Sequence, residues 1–566
     1  MTGFTQSLTQ PGETGGLSVR AWIMLMIVAV LAHFPGLFSI PAMDRDEARY
    51  AQASRQMMET GDYVDIRFQG DPRHVKPSGI YWLQVITTQP FGGEGAPIGA
   101  HRLPSFFGSI IAVALTAWLG ARLFSPGVGL IAGLVMALSL AMQIEARTAK
   151  TDAALLAAGM FAQVALAMLM LKVEEAKPKF WGWPAVLWAG TGAAIAIKGP
   201  IFFMVTALTL IGYVALKRDP KLLLKIRPMP GLALALAIFL PWLIAINIQT
   251  DWGFFQESVG HALFGKVGVA DDSHGGPFGY HTLLMPVTLW PASALLGLAA
   301  LAAWARKGEA VVQFLLVWIL PSWLVFELIQ TKLPHYVSPM FPAIAILIGI
   351  GLVNARALLS GWKQWTLFGV LAVLAIIVGG AVGLVPWLGQ IEFGESVSLA
   401  SQITAALGVL AVISLIILAL KPDLTRFLAV TAATCAVYVV AFGVAIPGVH
   451  KLWPSYNAAR IADSFTGCEV LDVATAGYRE PSNVFNFSTD IHLGTDGADT
   501  AAYLLNHPEC GLAIVDQSED EGFRAALNGA NVRQLAELEG YNAVKGRDLT
   551  LRFYTLQTSQ VQAPVQ

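Results

Sequence analysis

The segment PAMDRDEARYAQASRQMMETGDY, Pro41 to Tyr63, places Asp44, Arg45, Asp46, Glu47 and Arg49 within six positions. It follows directly on the apolar run WIMLMIVAVLAHFPGLFSI. Carboxylates here could accept a proton, orient an acceptor or hold a metal. They could equally start a helix, because acids are favoured at its positive end. If AQASRQMMET continues as helix, Arg49 and Tyr50 share a face with Asp46. A neighbouring arginine favours the ionised form of a carboxylate. Spacing alone leaves cap and catalyst both open.

Further reactive types stand in short polar stretches between apolar runs. RHVKPSG (73–79) offers Arg73, His74 and Lys76, as a phosphate site or as interfacial anchors. ARTAKTDA (146–153) puts Arg147, Lys150 and Asp152 at a junction where ionisable groups usually face a cavity. Lys198 in IKGP (197–200) could do the same, or snorkel to the interface. QTKLPHY (330–336) adds Lys332, His335 and Tyr336, for phosphate contact or anchoring. The stretch 261–281 holds His261, Lys266, Asp271, Asp272, His274, Tyr280 and His281, whose spacing matches no zinc motif. Candidates for a divalent metal cation are Asp46, His74 and His274.

The elements that must position these groups are membrane spans. Only 13% of the 566 residues are charged, against about 25% in a soluble domain, and mean hydropathy is +0.59. About thirteen apolar segments are long enough to be candidate spans. They lie near 21–40, 103–123, 127–146, 153–171, 184–198, 201–216, 231–249, 282–304, 310–329, 337–355, 366–388, 400–420 and 427–447. The first has no small-residue cleavage site after it and reads as a retained span.

With a cytoplasmic N-terminus, the basic residues of alternate loops all fall inside, among them Lys172, Lys217, Arg227, Arg306 and Lys421. The reactive loops then all fall outside, so a site would be assembled there from distant segments. A net charge of −2 gives no sign of a nucleic-acid partner. No GxxxxGK[ST] loop appears, no GxGxxG follows a strand in the membrane part, and no repeated pair of interrupted helices suggests a transporter.

Residues 1–450 form the expected transmembrane domain and 451–566 a polar α/β domain outside the membrane. CEVLDVATA (468–476), CGLAIVDQ (510–517), VRQLAELEGY and DLTLRFYTL read as strands. DTAAYLLNHPE (499–509) and EDEGFRAALNG (519–529) read as helices. The first two strands, joined through a helix, should be parallel. Cys468 and Cys510 could bridge them in an oxidising compartment or stay as free thiols, and Cys435 sits in an apolar span.

The order DEARY, GDYVDIRFQGDPRHVKPSGIYWL, RLPSFFGSIIAVALTAWLGARLF, TDAALL, IKGP, SHGGPFGYH and TKLPHYVSPMFPAIAILIG resembles membrane glycosyltransferases of the protein-O-mannosyltransferase-like superfamily. It is most similar to the branch of the lipid A 4-amino-4-deoxy-L-arabinose transferases. The resemblance implies an all-α polytopic fold of the C-type glycosyltransferase kind, with its site on the periplasmic face of a bacterial inner membrane. It implies a polyprenyl-phosphate-linked sugar as donor, usually with inversion, and a lipid A-like glycolipid as acceptor. A flippase of lipid-linked sugar and a protein O-glycosyltransferase are the alternatives. The implied catalytic positions are Asp46 and Glu47. Lys76 and Tyr336, with Arg147 and Lys150, would hold donor phosphate. Arg49, Asp152, Lys198, His274 and His335 would line the substrate site. Where the family commonly has a carboxylate just before the lysine, this chain has Val75.

Overall fold

A computed structural model describes residues 16–171, 182–258 and 275–564. Helix occupies each of the thirteen apolar segments. Among the described residues, eight helices are long and apolar enough to cross a membrane, and ten if each of two bent pairs is one span. The chain is a multi-pass membrane protein. Helices Val19–His33, Gly182–Lys198 and Ile201–Lys217 are shorter, at 15, 17 and 17 residues.

Two segments expected as single spans are broken. Pro126–Leu138 and Leu140–Ala146 meet at 60°, because Ser139 takes an extended conformation with ψ 131°. Tyr280–Thr288 and Ala292–Ala305 meet at 113° across Pro291, which has no N–H to continue a helix. Pro126–Leu138 is buried along its whole length and packs between Ile98–Leu123 and Phe341–Val353. These helices form the inner layer. Trp362–Glu392 lies at the rim, with Val370, Val373 and Ile377 exposed as a lipid-facing surface would be.

The helix Asp46–Thr60 and the hairpin after it bridge the membrane part and the C-terminal region. Asp46–Thr60 is amphipathic and ends at Gly61, whose φ of +71° suits a residue without a side chain. Gly79–Thr88 follows a small hairpin of β1 (Arg67–Phe68) and β2 (Asp71–Pro72).

The C-terminal region is a five-stranded mixed sheet in the order β4-β3-β5-β7-β6. Its strands are β3 (Asp472–Ala476), β4 (His492–Leu493), β5 (Gly511–Asp516), β6 (Val532–Asn542) and β7 (Arg547–Leu556). The expected parallel pair is β3 with β5, and β7 runs antiparallel to both β5 and β6. The helix expected over 499–509 stops at Asn506, because Pro508 disfavours helical backbone in the residue before it. Two apolar clusters hold the sheet, one around Leu512, Ile514 and Phe553, the other around Ala513, Val515 and Phe523. The alternation along β5 sends neighbouring side chains to opposite faces.

Cys468 and Cys510 form a disulfide that ties the approach to β3 to the approach to β5, across a separation of 42 residues. Cys435 is buried and free. Maleimide should label neither Cys468 nor Cys510 in the denatured, unreduced protein, and both after reduction. The Cys468→Ser/Cys510→Ser variant should lose about 2–4 kcal/mol of stability in this region, seen as a lower thermal midpoint. Labelling of Cys468 or Cys510 without reductant would contradict the bridge.

Candidate active site

A cavity of about 1030 Å³ lies where the reactive loops meet the C-terminal region. Its lower wall is apolar, from Leu155, Leu156, Ile201, Met204 and Phe326. Its upper wall carries Arg45, Arg49, Arg73, Lys76, Lys150, Lys198, Arg479 and Lys545 against only three carboxylates, Asp46, Asp152 and Glu480. Tyr50, His335 and Tyr336 add to the polar lining, with Thr151, Thr331 and Ser338. Such a space suits an amphipathic anion.

Asp46 is the first residue of its helix and faces the cavity. It follows Arg45, whose φ of +60° is uncommon for a non-glycine residue. Backbone strain of this kind persists only where the surroundings fix it. Three neighbouring contacts do so.

The first is Glu47, which is buried and absent from the cavity wall. Arg102, fully buried, donates to it from Nε and Nη2, both at 2.8 Å. Its oxygens also accept the Ala149 N–H at 2.8 Å and the Met43 N–H at 2.9 Å. The same guanidinium donates to the carbonyls of Leu37, Ile40 and Pro41. Glu47, expected to be catalytic, is therefore saturated and holds three loops together instead.

The second is Asp44, which accepts hydrogen bonds from Tyr478, at 3.0 Å, and from Ser482. The third is the helix beyond it. Arg55 donates to the Phe485 carbonyl at 2.8 Å and stacks on its ring at 4.3 Å. Gln52 donates to Thr489 at 2.6 Å. The C-terminal region thus clamps the helix that carries Asp46.

Across the cavity, Lys198 ends its helix at Gly199, whose φ is +80°, and donates to Asp152 at 2.5 Å. Its Nζ lies 5.7 Å from the centre of the Tyr336 ring. His335 faces Glu145 at 3.5 Å and Asp152 at 3.7 Å. Lys150 lies 3.7 Å from Glu145. Burial works against the Lys150 ammonium, but Glu145, Asp152, Asp46 and Glu47 together raise its pKa above the ordinary lysine value. Arg73 stacks over Tyr50 at 4.9 Å. Burial lowers its pKa too, yet Tyr81, Tyr50 and Asp46 leave it raised. Both groups keep their charge at neutral pH.

The structure thus brings Asp46, Arg49, Lys76, Lys150, Asp152, Lys198, His335 and Tyr336 to one cavity. Arg147 does not reach it. Its guanidinium is spent on the carbonyls of Ala32, Pro35 and Gln143 and stacks on Phe442 at 4.1 Å. His274, like His261, Lys266, Asp271 and Asp272, lies outside the described residues.

The two metal candidates among the described residues, His74 and Asp46, do not share a site. His74 is buried in its own loop, 2.8 Å from Asp65 and 3.5 Å from Glu257, while Asp46 faces the cavity. Among the described residues no group of three His, Cys, Asp or Glu side chains is placed to hold a metal.

Glu145, Arg479, Glu480 and Lys545 were not singled out from the sequence. Glu145 is masked inside an apolar run. The other three sit in a polar segment where charge carries no signal.

The Asp44 latch should be pH-dependent. Burial raises the Asp44 pKa above its ordinary 3.8, against the lowering effect of Ser482, Tyr478 and Arg45. Glu480 is raised as well, by burial and by the charge of Asp44. A carboxyl raised by folding stabilises most below its unfolded value, and that stability is lost as pH rises through the folded value. The thermal midpoint of the wild type minus that of Asp44→Asn should therefore fall between about pH 4 and pH 7. A difference that is flat or grows would rule out the latch. Glu47→Gln, which leaves Arg102 buried beside a neutral partner, should cost about 3–5 kcal/mol, read as a large drop in thermal midpoint.

Comparison with known proteins agrees with this architecture. The family described as dolichyl-phosphate-mannose-protein mannosyltransferase matches residues 19–251. An undecaprenyl phosphate-alpha-4-amino-4-deoxy-L-arabinose arabinosyl transferase of Pseudomonas aeruginosa is 28% identical over 338 residues, 59% of this chain and 60% of that protein. The transferase of the same description from Serratia proteamaculans is 27% identical over 393 residues, 65% of this chain and 66% of its own length. The matches thus span about 60% of the first of these relatives. Among solved structures, ArnT of Cupriavidus metallidurans bound to undecaprenyl phosphate superposes with a TM-score of 0.73 at 17% identity, over 94% of this chain and 98% of that one. Its apo state gives 0.66 at 18% identity, with the same coverage. The resemblance read from the sequence is borne out: this is a polytopic membrane protein with the fold of the aminoarabinose transferases, and its residues 19–251 match the dolichyl-phosphate-mannose-protein mannosyltransferase family.

Proposed function

We propose that this protein is a glycosyltransferase that moves a sugar from a polyprenyl-phosphate donor to a glycolipid acceptor such as lipid A. The observation that carries this reading is a single cavity whose lining combines an apolar set, from Leu155, Leu156, Ile201, Met204 and Phe326, with a cationic set and Asp46. A polyprenyl chain would lie along Leu155, Leu156, Ile201 and Phe326. Its phosphate would sit among Lys76, Lys150, Lys198 and Tyr336. The relatives' printed activity supports the same donor class.

In the reaction the bond between the sugar's anomeric carbon and the phosphate oxygen breaks. The electron pair leaves with polyprenyl phosphate, and an acceptor oxygen bonds to the anomeric carbon. The fixed cations favour the departing anion, usually the largest contribution in such sites. With a hydroxyl acceptor, Asp46 takes its proton. With a phosphate acceptor no proton need move, and Asp46 positions the nucleophile.

The site belongs on the periplasmic face of the inner membrane, with a cytoplasmic N-terminus. Basic inner loops and the Cys468–Cys510 bridge support that orientation. Residues 1–450 act as the transferase domain, and 451–566 as a periplasmic domain that closes its cavity.

Purified protein supplied with a polyprenyl-phosphate sugar and lipid A should release free polyprenyl phosphate. A flippase would release none. Asp46→Asn should slow release by about 10²–10⁴-fold if it is the general base, while membrane insertion and thermal midpoint stay close to wild type. Normal turnover by a folded Asp46→Asn variant would remove Asp46 from the mechanism.

A further inference from the structure

The cations of the cavity fall into two sets. Lys150 and Lys198 face Glu145 and Asp152 inside the protein. Arg45, Arg49, Arg479 and Lys545 make no side-chain hydrogen bond or ion pair within 4 Å among the described residues. Arg479 is in the segment after β3 and Lys545 in the turn between β6 and β7, so both belong to the C-terminal region. All four line the same cavity as Asp46.

A second pocket, of about 540 Å³, shares Arg49, Arg479 and Pro481 with the first, so the two abut along these residues. The second pocket is polar. Gln69, Asp71, Asp490, His492 and Tyr503 line it. Its wall is stiffened by a stack of rings, His492 on Tyr503 at 4.7 Å and Tyr503 on His507 at 4.1 Å. Carboxylates, an amide, a phenol and aromatic rings around a wet concavity are the groups that recognise sugar hydroxyls and ring faces. It offers little for an acyl chain.

We propose that these two features are one acceptor subsite, which takes an anionic saccharide headgroup. The anionic group lies among Arg49, Arg479 and Lys545, and the sugar beyond it extends into the pocket of Asp71, Asp490, His492 and Tyr503. The acceptor thus enters from the C-terminal region, opposite the donor, and its reacting oxygen meets Asp46. This assignment rests on the glycosyl-transfer reading, which the polyprenyl phosphate release assay tests separately.

Binding to the full-length protein in detergent, measured by isothermal titration, tests the subsite without turnover. The ligands are a water-soluble phosphorylated glucosamine disaccharide, its unphosphorylated form, inorganic phosphate and undecaprenyl phosphate. The phosphorylated disaccharide should bind at least tenfold tighter than either inorganic phosphate or the unphosphorylated sugar. Arg479→Ala should weaken it about tenfold or more. Tyr503→Ala and Asp490→Ala should weaken it as well, while undecaprenyl phosphate binds both as it binds the wild type. Asp490→Ala, at an exposed position, serves if Tyr503→Ala does not fold. Equal affinity for inorganic phosphate and the phosphorylated disaccharide would reduce the site to an anion site and overturn the saccharide pocket. Wild-type affinity in all three variants, or no binding to the wild type, would overturn the subsite altogether.

Discussion

Everything in the upper half of the cavity depends on the buried pair of Arg102 and Glu47. Burying two charges is costly unless their remaining donors and acceptors are also met. Here they are met in full measure. Arg102 serves three carbonyls of the turn after the first helix, and Glu47 serves the N–H groups of Met43 and Ala149. One pair therefore fixes the exit of the first helix, the start of the Asp46 helix and the loop that carries Lys150 and Asp152. Arg102 and the Ala149 loop are far in the chain from the other two segments. Without such a tie, nothing local would set their separation to the precision that transfer chemistry requires.

The distribution of charge around the cavity follows a similar logic. Buried cations are held beside carboxylates: Lys198 against Asp152, Lys150 near Glu145. For Lys150 the neighbouring carboxylates outweigh burial and keep the ammonium charged. Cations nearer the mouth, such as Arg45 and Arg479, are solvated and need no partner. The cavity thus has a fixed electrostatic floor and an open, charged rim. In the proposed reaction the floor would meet the phosphate that leaves and the rim the acceptor that arrives.

Much of this was legible in the sequence. Apolar runs located helix in all thirteen places, because a span's length and polarity are local properties. Alternation and turn residues located β3, β5, β6 and β7 of the tail for the same reason, but not β4, which is only two residues long. The loops that meet at the cavity were also visible, as polar stretches between apolar runs. What was not legible was the side of each residue. Glu47 and Arg147 have the types and spacing of site residues, yet both turn inward to partners 55 and 112 residues away. Glu145 lies in an apolar helix and shows no periodic signal. Arg479 and Lys545 belong to a different fold element, and only the docking of the tail brings them to the cavity. The two kinked spans were hidden because hydropathy averages over a break.

Asp44, Asp46 and Glu47 show why the motif could not be divided by spacing. They are neighbours of identical charge with three different surroundings. Asp44 turns outward to Tyr478 and Ser482, and so reports the docking of the C-terminal region. Glu47 turns inward to Arg102. Asp46 is left between them, at the first turn of a helix whose dipole favours a carboxylate there. The unusual φ of Arg45 is the geometric consequence, since the chain must reverse sharply for residues three apart to be anchored in opposite directions. Asp44 does not cap the helix, and no side chain does. The helix start is thus the means of presenting Asp46, and its two acidic neighbours are the fixings that hold it in place.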